Sequence, residues 1–152
     1  VGTKEVYSKS EFSLSGDYYK LQNNGVLDLN GKLSASYDAA NQNWSENWRM
    51  PTIDEFDELI ENCNWKWTTF NGVVGYKVIS KENCKWIFLP AAGYRNGSDF
   101  VDVGNYGYYW SSSLYSSDSH YAYHLYFDFG SDYVGWASDI RRIGLPVRAV
   151  CP

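Results

Sequence analysis

Between Tyr121 and Phe129 the chain alternates strictly, and nothing else in the sequence constrains the fold as tightly. On an extended backbone Tyr123, Leu125, Phe127 and Phe129 face one side, and Ala122, His124, Tyr126 and Asp128 face the other. A period of two is wrong for a helix. It requires a neighbouring strand for the backbone groups and a cover for the apolar side. Tyr133 to Ala137 is the expected partner.

The same grammar runs back to Cys63. Trp65, Trp67 and Phe70 lead into Asn71-Gly72, and Val73 to Ile79 follow, which reads as a hairpin. Trp86 to Pro90 reads as a buried strand stopped by proline. Residues 93–107 are rich in turn formers and read as loops. Tyr108 to Ser113 starts another strand, and Val147 to Val150 closes the chain as a last one.

The first half is different. Asn23-Asn24-Gly25 and Asn30-Gly31 are turn signals, and Val6, Phe12, Leu14, Tyr18, Leu21 and Val26 alternate loosely, so residues 1–30 are expected to form short strands. Tyr37, Ala40 and Trp44 predict a short helix near 35–43. Thr52 followed by Glu55 is a capping box, and Ile53, Phe56, Leu59, Ile60 and Cys63 make one helical stripe. Asp54, Glu55, Asp57 and Glu58 suit the positive end of that helix and are read as its solvated face, not as a metal site. Together these segments predict an α+β chain with two helices in the first half and short, mostly antiparallel, twisted strands after them. No repeat or linker divides residues 1–152, so a single domain is expected.

Composition narrows the function. A net charge of −5 argues against a nucleic-acid partner, and no apolar run is long enough for a membrane span. No secretory signal is visible. Cys63, Cys84 and Cys151 form no CxxC pair, so no structural zinc is expected, and a Cys63–Cys84 bridge stays open. No phosphate-binding glycine loop occurs, and His120 and His124 lie on strand-like sequence, where a spacing of four does not bring them together. Asp118, Asp128, Asp132 and Asp139 lie in no spaced calcium loop. No cofactor is expected.

Asparagine is spread through residues 1–105 and absent from 106–152, and lysine ends at Lys85. Tyrosine concentrates instead, with 8 of 14 after residue 105. The outward positions His124, Tyr126, Asp128, Asp132, Ser138, Asp139 and Ile140 therefore have the make-up of a paratope, in which tyrosine gives large, stiff, amphipathic contacts.

Four blocks, in order, resemble a known bacterial family. They are Trp48-Arg49-Met50-Pro51-Thr52 with Glu55, Ile87-Phe88-Leu89-Pro90-Ala91-Ala92-Gly93-Tyr94-Arg95, Gly107-Tyr108-Tyr109-Trp110-Ser111-Ser112, and Arg141, Gly144, Val147, Arg148 and Val150. Over residues 37–151 the chain resembles the Fibrobacter succinogenes major paralogous domain, a branch of the C-type lectin fold related to formylglycine-generating enzymes. The resemblance implies paired N- and C-terminal strands. It implies N-terminal strands over 1–36, helices and frame over 37–105, and a variable ligand-binding region over 106–152. Some such proteins are variable proteins of diversity-generating retroelements, whose asparagine codons are rewritten, so that Tyr115, Asp118, His120, Tyr121, Tyr133, Trp136, Arg142 and Ile143 join the expected contact set. Tyr121, His124, Tyr126, Tyr133 and Trp136 are the expected anchors, and Tyr37, Tyr94, Tyr109 and Tyr123 the expected frame. The E-P-N and W-N-D calcium motifs of lectins are missing, as is the close cysteine pair of the enzyme relatives. The expectation is a non-enzymatic, monomeric receptor or adhesin for a protein or glycan, outside the cell or on its surface, lipoprotein-anchored or carried by a phage. An enzyme on the related fold and a filament subunit are the alternatives.

Overall fold

A computed structural model describes residues 17–131 and 133–151. Two three-stranded antiparallel sheets hold the centre. The first has the order β1–β2–β3, from Cys63–Phe70, Val73–Ser80 and Trp86–Pro90. Asn71 and Gly72 both have positive φ, as a two-residue hairpin turn needs, and the strands pair from Phe70↔Val73 to Cys63↔Ser80. The next two strands, β4 (Tyr94–Asn96) and β5 (Asp99–Val101), form a small hairpin where loops are expected. The second large sheet has the order β6–β7–β8, from Tyr106–Leu114, Tyr121–Asp128 and Val134–Ile140.

The helices are short. They are α1 (Tyr18–Asn23), α2 (Ala39–Asn43) and α3 (Ile53–Asn62), with a 3-10 turn over Ala35–Tyr37. The capping box at Thr52 and Glu55 is formed as the spacing predicts. Arg49 adds a bidentate ion pair to Glu55. That guanidinium holds the Glu55 carboxyl down to about 2. The backbone N–H of Ile53 donates to Ser113 Oγ at 3.1 Å, which ties the start of α3 to β6.

The core lies between the two sheets and under α3. Phe56, Tyr76, Val78, Leu89, Ala91, Tyr109, Leu125 and Phe127 fill it. Phe127 is its hub, with ring centroids 5.2 Å from Tyr76, 6.1 Å from Trp65 and 6.1 Å from Tyr109. A smaller cluster of Leu21, Val26, Leu27 and Leu114 secures the N-terminal segment.

Several expectations are corrected here. The chain is not an α+β, C-type lectin-like fold with two helices: 43% of the described residues are strand against 18% helix, arranged as three small antiparallel sheets with three short helices. Residues 18–23 are helix, not strand, because the Asp17 carboxylate accepts the Lys20 N–H at 2.8 Å and starts a turn. The helix expected near 35–43 is broken at Asp38, whose buried carboxylate accepts the N–H groups of Ala40, Asn41 and Met50. Residues 147–150 form no strand; Val150 makes one isolated bridge to Arg49. The expected strands before residue 17 lie outside the described residues.

Candidate binding face

The pleat of the β6–β8 sheet separates two aromatic surfaces. Gly107, Tyr109, Leu125 and Phe127 turn to the core. The alternate positions Tyr106, Tyr108 and Trp110 on β6, and His124, Tyr126 and Asp128 on β7, turn away from it. The register sets Tyr106 opposite Asp128, Tyr108 opposite Tyr126 and Trp110 opposite His124. Opposed side chains on one face touch. The rings of Tyr108 and Tyr126 are 5.5 Å apart, those of Trp110 and His124 5.7 Å, and those of Tyr106 and Tyr108 stack at 6.1 Å. Tyr94 adds an edge contact to Tyr108 at 5.4 Å, and Tyr133 reaches Tyr126 at 5.9 Å. Tyr133 can do so because it lies across Gly135, where a Cβ would collide with its phenol.

Two carboxylates anchor this row. The Tyr126 hydroxyl donates to Asp128 Oδ2 at 3.1 Å, and the Tyr108 hydroxyl donates to Asp102 Oδ2 at 3.3 Å. Asp128 Oδ1 accepts in turn from Gly130 N, Ser131 N and Ser131 Oγ, which holds its carboxyl below the ordinary carboxylate range. Burial, then Asp128, pushes the Tyr126 phenol up to about 12. Burial, then Asp102, raises the Tyr108 phenol too. Both phenols stay protonated at neutral pH and act as donors, not as bases.

The expected contact residues are divided by the pleat. Tyr126, Asp128 and Asp139 share the outward face. Tyr121, Trp136, Ser138 and Ile140 take the opposite parity, since the register pairs Tyr121 with Ile140, Leu125 with Trp136 and Tyr123 with Ser138. There Tyr115, Tyr121, Tyr123 and Trp136 make a second ring cluster, with Tyr123 5.2 Å from Tyr115 and 5.3 Å from Trp136. Asp118 and His120 sit in the turn before β7, where Asp118 Oδ1 accepts the His120 N–H at 2.9 Å. Arg142 is exposed in the turn after β8. Ile143 is half-buried, and its carbonyl accepts the Trp110 indole N–H at 3.3 Å. Asp132 lies outside the described residues.

His124 departs from its expected role as an anchor. It faces the expected side, yet only 3% of it is exposed, because Trp110 beside it and Tyr108 across the diagonal close over the imidazole. Burial lowers its pKa from the usual 6.5. Of the expected anchors, Tyr133 and Trp136 are exposed, at 51% and 46%, Trp136 on the opposite parity from Tyr126. Tyr106, Tyr108 and Trp110 are missing from the expected set, although their spacing of two, against core Tyr109, is visible in the sequence. Tyr94, expected in the frame, borders this face.

Two clefts lie elsewhere. One of 560 Å³ is lined by Lys32, Asp38, Glu46, Arg49 and Cys151 among others, and its Arg49 and Asp38 are already engaged by Glu55 and by backbone N–H groups. The other, of 290 Å³, is lined by Trp67, Tyr76, Phe129 and Gly130. Cys63 and Cys84 are free thiols, so no bridge joins them, and no group of three metal-ligating side chains occurs among the described residues. No helix among those residues is long and apolar enough to cross a membrane.

No curated protein and no solved structure matches the chain. Residues 76–150 are similar to a domain of unknown function (DUF8237), a span that begins in β2 and takes in every ring of the outward row.

Proposed function

We propose that the chain is a binding module that holds a protein or glycan ligand against the outward aromatic row of the β6–β8 sheet. One observation supports this most: Tyr106, Tyr108, Tyr126 and Tyr133 form a continuous row outside the core, ordered by ring contacts and by Asp102 and Asp128. A sheet face that only meets water has no need of four tyrosines. Stiff rings held by their bonds to Asp102 and Asp128 lose little entropy on binding, and their phenol oxygens can still accept from a ligand. The protonated phenols favour hydrogen-bonded recognition over proton transfer, hence binding over catalysis.

The loss of asparagine after residue 105 supports a second part of the reading. The segment is then a variable region of the kind that diversity-generating retroelements rewrite, displayed at a cell or phage surface. A near-copy of its coding segment, differing only at adenines and lying beside a reverse transcriptase gene, is the expected genomic neighbour. An ordinary neighbourhood would remove this part and leave the binding reading standing.

The binding reading is tested with glycan and peptide arrays, using the chain and a Tyr108→Ser, Tyr126→Ser, Tyr133→Ser variant. Array signals of the chain should fall at least about tenfold in the variant, as expected when aromatic anchors are truncated. Signals retained by a folded variant would remove the reading.

A further inference from the structure

We infer that the outer face of the β1–β3 sheet is a docking surface for an anionic lipid bilayer, independent of the aromatic row on β6–β8. The inner face of this sheet is spent on the core through Trp65, Trp67, Tyr76, Val78 and Leu89. The pleat turns Lys66, Phe70, Val73, Lys77, Trp86 and Phe88 the other way. Phe70, Val73 and Trp86 are exposed at 43%, 47% and 44%. The ring of Phe70 lies 5.4 Å from Trp86 and 5.5 Å from Phe88, so the three form one apolar patch.

Charge says what covers it. Lys66 and Lys77 are directly opposed across β1 and β2. Like charges at such a position repel, and neither has a carboxylate within ion-pair distance among the described residues. Lys77 Nζ stands 4.3 Å from the Trp86 ring centre. The outward positions of the three strands carry Lys66 and Lys77 and no acid, in a chain of net charge −5. The patch is therefore a basic, aromatic island on an acidic protein, and its complement is anionic and apolar at once.

A bilayer meets both demands. Lysine heads reach lipid phosphates while tryptophan and phenylalanine settle at the headgroup boundary. Phe70 and Val73 flank the Asn71–Gly72 turn, so apolar side chains protrude at a hairpin tip. Two other anionic occupants fit less well. The Phe70 and Trp86 rings meet at 79°, edge to face, and do not offer the parallel platforms on which nucleic-acid bases stack. Neither cleft opens on this face to receive the anchor side chain of an acidic protein.

The test is co-sedimentation of the full chain with vesicles of phosphatidylcholine alone, and of phosphatidylcholine mixed with an equal part of phosphatidylglycerol. Binding to the mixed vesicles only, weakened by added salt, is expected. Lys66→Glu with Lys77→Glu should lower that binding at least about tenfold. Trp86→Ala should lower it while leaving the salt dependence in place. Far-UV circular dichroism shows that each variant is folded. No binding to the mixed vesicles, equal binding to both kinds, or undiminished binding by the folded double-lysine variant would each overturn the inference. So would binding to a polyglutamate peptide or to single-stranded DNA without binding to vesicles.

Discussion

His124 is where the two demands on the β6–β8 sheet meet. The imidazole supports the aromatic row from beneath, and Tyr108, Trp110 and Asp139 are the groups around it. Its Nδ1 contacts the Leu125 carbonyl at 3.1 Å. Burial outweighs the Leu125 carbonyl and Asp139 and keeps the folded pKa below 6.5. The unfolded chain then binds the proton more readily, so this group adds stability above its unfolded pKa that is lost as pH falls. The melting temperature should drop between about pH 7 and about pH 5, and His124→Gln should flatten that slope. An unchanged slope in the variant would place the titration elsewhere. Glu55 acts lower on the scale. Its carboxyl is held at about 2 against an ordinary 4.5, so its contribution is present above 4.5 and fades as pH falls toward 2. The pair with Arg49 is partly exposed, at 28% and 31%, and screening trims its worth. Loss of the cap and the pair together in Glu55→Ala should cost about 1–2 kcal/mol in urea unfolding.

At the scale of elements, the β1–β2 hairpin and the start of α3 are legible because their causes are local, while the equally local β4–β5 hairpin reads as loop. Asn71-Gly72 fixes the β1–β2 hairpin, and Thr52 with Glu55 starts α3, because each signal acts within four residues. The alternation at 121–129 likewise assigns Leu125 and Phe127 to the core and Tyr126 to the outside. What alternation could not show was depth. His124 is buried by Trp110, fourteen residues away in sequence and opposite only once β6 and β7 are in register. Tyr121 and Trp136 were expected to join Tyr126, but register puts them on the other side. The first helix was hidden for a different reason: it is six residues long, buries only Leu21, and leaves too short a stripe to read. Register also makes a sharp demand at Gly107, which sits opposite Phe127 and where a Cβ would fall within the Phe127 ring. Gly107→Ala should therefore destabilise the protein by about 1–3 kcal/mol, read from a denaturant midpoint, although alanine is otherwise better suited to a strand.

For the whole molecule the decisive fact is that the two large sheets share one set of rings. Trp65, Trp67 and Tyr76 come from the first sheet, Tyr109 and Phe127 from the second, and Phe56 from α3. Neither sheet has a core of its own. Tryptophan fluorescence and far-UV circular dichroism should thus trace one coincident unfolding transition, and an early loss of one signal would show that the sheets part separately. Phe127→Ala empties the hub and should cost about 3–5 kcal/mol. Substitutions at Tyr126 or Tyr133 should leave the midpoint nearly unmoved, since those rings lie outside that shared set. Gly135 extends the same logic to the surface. The empty space above it admits Tyr133, which comes in from the turn and lies down beside Tyr126. A methyl group there would stand the ring up and shorten the row by one residue. The breadth of the surface offered to a ligand is thus set by a side chain the strand does not have.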